Sequence, residues 1–331
     1  MAEIVTAAGK RFIAQEGESI LDAALRNGVA LEYSCRTGRC STCKAQLRGG
    51  STQVLHDESG LSPAQLAEGW ILTCVRSASS DLVIEVEDLG DIQLFPARTH
   101  PCRIQALERV SGDVVKVVLR LPPTADFRYH PGQYVDVVAK DALRRSYSIA
   151  NAPAPGKQIE LHIRHVPGGA MSDYWFDRAK VNDLLRLQGP LGTFFLRDVA
   201  GQDLVFLATG TGIAPVKAML EALHVMEPER RPVSATVYWG GRSPVDFYWN
   251  SVGLDVDHRF VRVLSRPHDG WAGARGHVQD ALLSEGPDLR RSTVYACGSD
   301  LMVRDARRML IDAGLPERRF HSDAFVSSGA E

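Results

Sequence analysis

At 331 residues the chain is longer than one ordinary core organises and fits two or three domains. Its 44% apolar and 24% charged residues are those of a globular protein, and a formal net charge of -2 gives no bulk electrostatic reason to bind nucleic acid. No basic segment followed by an apolar one opens the chain, and no apolar run reaches the roughly 18–20 residues that span a bilayer, so a cytoplasmic protein with neither membrane nor nucleic-acid partner is expected.

Residues 1–87 read as a small α+β unit. Ser19 with Asp22 three residues on resembles a capping box, Ile20, Leu21, Ala24 and Leu25 form an apolar helix face, and Asn27-Gly28 supplies a stop. Leu82 to Glu87 alternates like a closing strand. Asp88 to Pro101 is polar and irregular and reads as a linker. From Cys102 to about Leu196 short strands follow at close spacing: Val114–Leu121, Tyr134–Val138, Ser146–Ile149 and Ile159–Arg164, divided by turn clusters such as Pro131-Gly132. That pattern predicts an antiparallel β-barrel. From Leu204 strands alternate with helices, near Pro215–Met226, His277–Leu283 and Met302–Ala313. The βαβ rhythm predicts an α/β doubly wound parallel sheet. The expected domains are 1–93, 98–197 and 198–331.

Four of the six cysteines fall in the first 74 residues. Cys35, Cys40 and Cys43 give C-x4-C-x2-C, and Cys74 stands apart as a fourth ligand, the spacing of a plant-type [2Fe–2S] ferredoxin. One loop must wrap a compact cluster and aim backbone N–H groups at its sulfurs; Gly38, Ser41 and Thr42 let the backbone come that close. Structural zinc sites favour paired short knuckles, which the lone Cys74 does not provide. Of the remaining thiols, Cys102 reads as a small buried hydrophobe. Cys297 ends a predicted parallel strand, where ligands bind, although a packed core thiol is the alternative.

Arg145-Ser-Tyr-Ser148 lies on a barrel strand, so Arg145 and Tyr147 share one face and Ser146 and Ser148 the other. An arginine forks onto phosphate, an aromatic covers a flat ring and a hydroxyl bonds a ring nitrogen. Gly168-Gly169-Ala-Met-Ser172 reads as a Gly-rich turn opening a helix, a seat for a pyrophosphate. Gly210-Thr211-Gly212-Ile-Ala-Pro215 follows a strand and precedes a helix, the context of a dinucleotide loop without the full G-x-G-x-x-G.

In this order, and with Tyr295-Ala-Cys-Gly298 and Asp323-Ala-Phe325, these motifs resemble the ferredoxin–NADP reductase superfamily. With the N-terminal ferredoxin, a β-grasp domain in that family, the whole chain is similar to the electron-transfer reductases of bacterial multicomponent systems. Arg144–Pro153, Gly192–Phe195 and Ser322–Val326 look most like the reductases of CDP-6-deoxy-4-keto-hexose 3-dehydrases; reductase components of ring-hydroxylating oxygenases share nearly all the motifs. The resemblance implies a [2Fe–2S] cluster on Cys35, Cys40, Cys43 and Cys74, FAD in preference to FMN, and NADH or NADPH as hydride donor. It implies Arg145 on a flavin phosphate, Tyr147 on the flavin, Ser148 near N5, and Gly169 and Ser172 on the pyrophosphate. Gly210, Thr211 and Gly212 would contact the nicotinamide dinucleotide, Cys297 would lie near the nicotinamide and Phe325 near the isoalloxazine. No acid or base is assigned; Ser148, Cys297 and Phe325 are the hydride-site candidates. Ser265 and Arg266, after the third strand of the nucleotide domain, offer a hydroxyl and a fork suited to a 2′-phosphate, so NADPH is expected to be accepted. The expected partner is an electron-acceptor protein docking at the ferredoxin domain, a deoxysugar 3-dehydrase or, alternatively, an oxygenase component. A redox sensor needs no hydride-donor site, and neither a G-x-S-x-G elbow nor a G-x(4)-G-K-[ST] loop suggests a hydrolase or phosphotransferase.

Overall fold

Alternation builds the first pair of strands. β1 (Ala2–Thr6) buries every second side chain and pairs antiparallel with β2 (Arg11–Ala14), which buries Phe12 and Ala14. In the computed structural model, which describes residues 1–325 except 88, 91, 140–142 and 255, these strands belong to one unit, Met1–Phe95; a second unit spans Pro96–Phe325. Helix α1 (Ile20–Arg26) starts at Ser19, whose hydroxyl accepts from the Asp22 N–H at 3.0 Å and donates to the Asp22 carboxylate at 2.7 Å. The return bond thus reaches the hydroxyl, where a capping box would use the Ser19 backbone. The first unit continues with β3 (Lys44–Gly49), β4 (Thr52–Val54), α2 (Pro63–Ala67), β5 (Trp70–Leu72), β6 (Arg76–Ala78) and β7 (Leu82–Glu85). Its main sheet runs β2-β1-β7-β3-β5, with β1 parallel to β7, and β4 pairs with β6. Ile20, Leu21, Ala23 and Ala24 of α1 pack into one core with Ile4, Ile71, Leu72 and Ile84. The sequence reading missed α2, although Ser62 and Gln65 form its full capping box.

In the second unit a six-stranded antiparallel sheet comes first. Its strands are β8 (Arg98–Ser111), β9 (Val114–Arg120), β10 (Tyr134–Val138), β11 (Arg144–Ser148), β12 (Gln158–Arg164) and, after α3 (Ala170–Asp173), β13 (Leu184–Leu191), in the order β11-β10-β13-β8-β9-β12. A bridge between Ile149 and Leu161 joins the two edges and closes the barrel around Val117, Val135, Leu161 and Leu187. The expected linker is shorter than its sequence suggested. β8 begins at Arg98 and carries Pro101 opposite Arg186; Asp88 and Asp91 of that linker lie outside the described residues. β8 was hidden because Arg98 and His100 put polar side chains in the phase that Cys102 and Ile104 bury, so the apolar alternation on which a strand assignment rests is cut short.

Next come β14 (Asp203–Thr209), α4 (Ile213–His224), β15 (Ser234–Gly241), β16 (Arg259–Leu264), β17 (Ala274–Arg275), α5 (Val278–Ser284), β18 (Ser292–Ser299), α6 (Asp300–Asp312) and β19 (Phe320–Phe325). Every strand pair in this sheet is parallel, in the order β17-β16-β15-β14-β18-β19. The chain moves outward one way from β14 to β17, then returns to β18 on the other side. That reversal puts a ligand crevice at the carboxyl ends of β14 and β18. Barrel and parallel sheet pack as one compact unit. No helix among the described residues is long and apolar enough to cross a membrane.

Burial decides which ion pairs matter. Arg11 and Glu3 are 66% and 43% exposed, and such a pair is worth less than about 1 kcal/mol. Arg76 and Glu58 are 18% and 7% exposed; the guanidinium makes several bonds to the carboxylate, which also accepts from the Leu72 N–H at 3.1 Å. Removing one partner of such a pair costs about 3–5 kcal/mol. Arg76→Leu is therefore expected to lower the melting temperature of the N-terminal unit by several degrees, and Arg11→Leu to leave it almost unchanged. Differential scanning calorimetry of the full chain checks both.

Candidate functional site

The cysteine loop hangs between α1 and β3. Its backbone turns through the left-handed region at Arg36, Gly38 and Ser41 (φ 58°, 75° and 60°). At Gly38 glycine is obligatory, since a Cβ would lie 2.1 Å from the Asp57 carbonyl oxygen. The 57–60 turn buttresses the loop: Gly60 N–H donates to the Gly38 carbonyl at 2.8 Å, and Ser41 Oγ donates to the Gly60 carbonyl. That turn is braced in its turn by Glu58 and Arg76.

The four thiols stand as two pairs. Cys43 Sγ and Cys74 Sγ are 3.2 Å apart, and Cys35 and Cys40 share a hydrogen bond. Among the described residues no three side-chain donors converge on one mononuclear site; two pairs suit two irons, each held by two thiolates. Contact with the Cys40 thiol pulls the Cys35 thiol down to about 5, and the same contact, with burial added, pushes Cys40 up. Thr37 N–H donates to Cys35 Sγ at 3.4 Å, and Cys35 N–H to Cys40 Sγ at 3.5 Å, so backbone donors already face sulfur. Thr42 Oγ1 is buried without a hydrogen bond of good geometry, although it lies close enough to act on the Cys40 thiol. A donor left over beside paired thiols is what a sulfide-bearing cluster would use, and the loop fits that group.

On the barrel, Arg145, Ser146, Tyr147 and Ser148 run along β11 opposite Val137, Asp136, Val135 and Tyr134 of β10. Arg145 is exposed; its Nη1 donates to the Arg144 carbonyl at 2.8 Å, and among the described residues it makes no ion pair. Tyr147 is half-buried. Its hydroxyl accepts from Trp175 Nε1 at 3.0 Å and the two rings meet edge to face at 6.2 Å, which fixes the plane of the tyrosine. Trp175 belongs to the π-helical turn Tyr174–Arg178 that follows α3, and no sequence signal marked it. Gly168 (φ 75°) and Gly169 lead into α3, a helix of only four residues. Ser172 lies in it, buried, with its Oγ accepting from the Val166 N–H at 2.9 Å. A held aromatic plane, an accessible guanidinium and a glycine turn form the kind of surface a flavin nucleotide requires.

At the crevice the ends of β14 and β18 almost touch. A Cβ on Gly212 would lie 2.2 Å from the Cys297 carbonyl oxygen, and one on Gly298 2.2 Å from Thr209 Oγ1. Thr209 Oγ1 also accepts from the Ser299 N–H at 3.1 Å. Gly210 (φ 54°) carries above it the Arg164 guanidinium, whose Nη1 is 2.8 Å from where a Cβ would be, and Thr211 is buried beside it. Arg164 and Gly298 are functional candidates the sequence reading passed over, one hidden in a strand pattern and the other in a motif credited to its cysteine. Gln279, in the first turn of α5, is 4% exposed with its Oε1 lacking a partner. That buried acceptor at the nucleotide sheet suits a ligand donor.

Cys297 is fully buried in the core of this half; burial and the neighbouring Asp323 push its thiol well up. It faces Asp323 across the β18–β19 ladder, and Ser148 Oγ donates to Asp323 Oδ2 at 3.3 Å. Two of the three hydride-site candidates thus adjoin one buried carboxylate, Asp323, that no local sequence pattern marks as functional. Phe325, 38% exposed, ends β19 opposite Ser299. Ser265 is exposed and tied to the Gly241 carbonyl through N–H and Oγ at 3.0 and 3.2 Å; Arg266 is exposed beside it.

Comparison with known proteins agrees with this geometry. Residues 5–79 match the family described as 2Fe-2S iron-sulfur cluster binding domain, 101–196 the Oxidoreductase FAD-binding domain and 206–308 the Oxidoreductase NAD-binding domain. The chain belongs to the iron–sulfur flavoprotein reductases of the ferredoxin–NADP reductase superfamily, and its cofactors are a [2Fe–2S] cluster, FAD and a nicotinamide nucleotide. It is 41% identical to the CDP-6-deoxy-L-threo-D-glycero-4-hexulose-3-dehydrase reductase of Yersinia pseudotuberculosis, over 96% of both chains. It is 32% identical to the reductase component of propane 2-monooxygenase from Mycolicibacterium smegmatis, over 95% of this chain and 93% of that protein. Among solved structures the Amycolatopsis cytochrome P450 reductase GcoB superposes with a TM-score of 0.78 at 29% identity, covering 99% of this chain and 100% of that one. The chain is an NAD(P)H-dependent oxidoreductase of the reductase-component type.

Proposed function

We propose that the chain delivers electrons to a separate deoxysugar 3-dehydrase-type enzyme that docks at the ferredoxin unit, and that it works in the cytoplasm. The observation carrying this reading is the 41% identity to a dehydrase reductase across 96% of both chains, against 32% to a monooxygenase reductase. An oxygenase component is the second reading, favoured by the full-length likeness to a cytochrome P450 reductase.

When bound, the flavin and cluster would supply the chemistry that splits one hydride into a proton and two electrons passed on singly. The chain's own residues do the placing. Arg145 would hold the flavin phosphate, Tyr147, held by Trp175, would cover the ring, and Gly168, Gly169 and Ser172 would seat the pyrophosphate. Ser148, oriented by Asp323, would offer its hydroxyl oxygen near N5. Gly210, Thr211 and Gly212, with Arg164 above them, receive the dinucleotide phosphates. Cys297, deep in the core, shapes the nicotinamide seat by volume, since a raised thiol pKa leaves it protonated. Phe325 would flank the isoalloxazine. Cys35, Cys40, Cys43 and Cys74 hold the cluster, near which the acceptor docks.

Reconstitution tests the partner. The purified chain is expected to support NAD(P)H-dependent turnover of a CDP-6-deoxy-4-hexulose 3-dehydrase well above that of an oxygenase component, and Cys40→Ser to abolish it while flavin reduction continues. Faster coupling to the oxygenase would select the second reading. For nucleotide choice, Arg266→Glu is expected to move the NADPH/NADH ratio of kcat/KM about tenfold or more toward NADH, because a carboxylate replaces a phosphate-matching fork. An unchanged ratio would remove Arg266 from 2′-phosphate recognition.

A further inference from the structure

The barrel and the nucleotide sheet meet through a buried polar chain that neither the cofactor motifs nor the family description assigns. Lys217 stands one turn into α4, the helix that leaves the Gly210–Gly212 loop, and its side chain is 12% exposed. Its ammonium has three donors, and three acceptors surround it: the Ala150 carbonyl at 3.0 Å, Glu221 Oε1 at 2.6 Å and Glu160 Oε1 at 3.2 Å. Ala150 lies two residues beyond Ser148, and Glu160 lies on barrel strand β12. Glu221 turns its other oxygen to the Ala152 N–H at 2.8 Å, so α4 is tied twice to the segment that continues the flavin strand.

Glu160 accepts a further bond from His162 Nε2 at 2.8 Å, and His162 Nδ1 meets Tyr248 Oη at 3.1 Å. Burial holds His162 neutral, while the His162 and Lys217 contacts draw the Glu160 carboxyl down to about 2 despite its burial. The proton assignment follows. Nε2–H donates to the carboxylate, and Nδ1 accepts the Tyr248 hydroxyl proton. Tyr248 packs edge to face on Trp239 at 5.3 Å, and Trp239 Nε1 donates to the Gly210 carbonyl at 3.0 Å. The chain therefore starts at the segment just beyond the flavin strand and ends on the nucleotide loop.

Lys217 is too fully engaged to serve as a phosphate ligand, and a seam needing only adhesion would be cheaper built from apolar side chains. A chain of hydrogen bonds, joined by the Lys217–Glu160 ion pair and the Tyr248–Trp239 ring contact, specifies one geometry instead of a range. Hydride transfer demands that geometry, because reacting rings must sit about 3–3.5 Å apart and a 1 Å error costs roughly 100-fold. We propose that Lys217, Glu160, His162 and Tyr248 form a positioning latch that sets the nicotinamide-binding loop against the flavin-binding strand. This rests on the nucleotide and flavin seats given above.

The test uses Lys217→Met, Lys217→Arg, Glu160→Gln and Tyr248→Phe in the full holoprotein, the last retaining the ring on Trp239 while deleting the bond to His162. Stopped-flow flavin reduction by saturating NADPH or NADH is expected to slow about 10–100-fold in Lys217→Met and Glu160→Gln, with partial rescue in Lys217→Arg and a smaller loss in Tyr248→Phe. The Kd for NADP⁺ should change less than threefold, and the Lys217→Met/Glu160→Gln double variant should be no slower than the worse single one. Hydrogen–deuterium exchange should rise in peptides covering 208–214 and 148–152. If Lys217→Met fails to fold, Tyr248→Phe and Lys217→Arg carry the same readouts. Unchanged reduction rates and exchange, or losses expressed wholly in Kd, would overturn the latch. Absence of flavin reduction in the unaltered protein would instead overturn the seats on which it rests.

Discussion

The ends of β14 and β18 can meet only because both Gly212 and Gly298 lack a side chain. A methyl group at either place would lie 2.2 Å from an oxygen of the other strand's end, far inside contact distance. Once these ends meet, the rest of the crevice follows. The Cys297 carbonyl covers the start of α4, Thr209 bonds the N–H that opens α6, and β19 brings Asp323 to Ser148 on the barrel. Glycine here serves the packing of backbone on backbone, which must precede any approach by a ligand.

The seam above the crevice is polar where an apolar one would be easier to stabilise. Lys217, Glu160, Glu221 and His162 are all largely withdrawn from water, and their mutual bonds offset a desolvation cost of several kcal/mol per ion. Adhesion alone does not explain that cost, since the elements that carry the seam also bury apolar side chains: Ile213, Val216 and Leu220 on α4, and Leu161 and Ile163 on β12. Polar groups accept few arrangements, whereas apolar faces slide. In the cluster unit the same economy recurs on a smaller scale, with the buried Glu58–Arg76 pair fixing the turn that carries the loop.

Much of this was legible in the sequence because the chemistry demands local patterns. The C-x4-C-x2-C loop is legible from spacing alone, whereas the Arg145–Ser148 strand and the Gly210–Gly212 turn stand out only through their order along the chain and their context of strand and helix. The alternation of β7 and the apolar run of β14 likewise identify strands from local pattern, whereas β1 went unread. Contacts made by distant residues were not legible. Ser148 and Asp323 are separated by 175 positions, and Lys217 and Glu160 by helix and strand patterns that look ordinary on the surface. Arg164 reads as a strand-edge charge until the fold sets it over Gly210. β8 escaped because its core-facing alternation, at Cys102 and Ile104, is shorter than the strand itself.

Two units, one carrying paired thiols and the other the two nucleotide seats, make sense together only if electrons leave the second by way of the first. The most direct test of that claim is freeze-quenched EPR after anaerobic mixing with NADPH or NADH, in the holoprotein and in protein stripped of flavin by dialysis. The signal of the reduced cluster should grow in the holoprotein, be absent in the stripped protein and return when FAD is added back. A cluster signal that grows at the same rate without flavin, or one that never appears with it, would contradict the account.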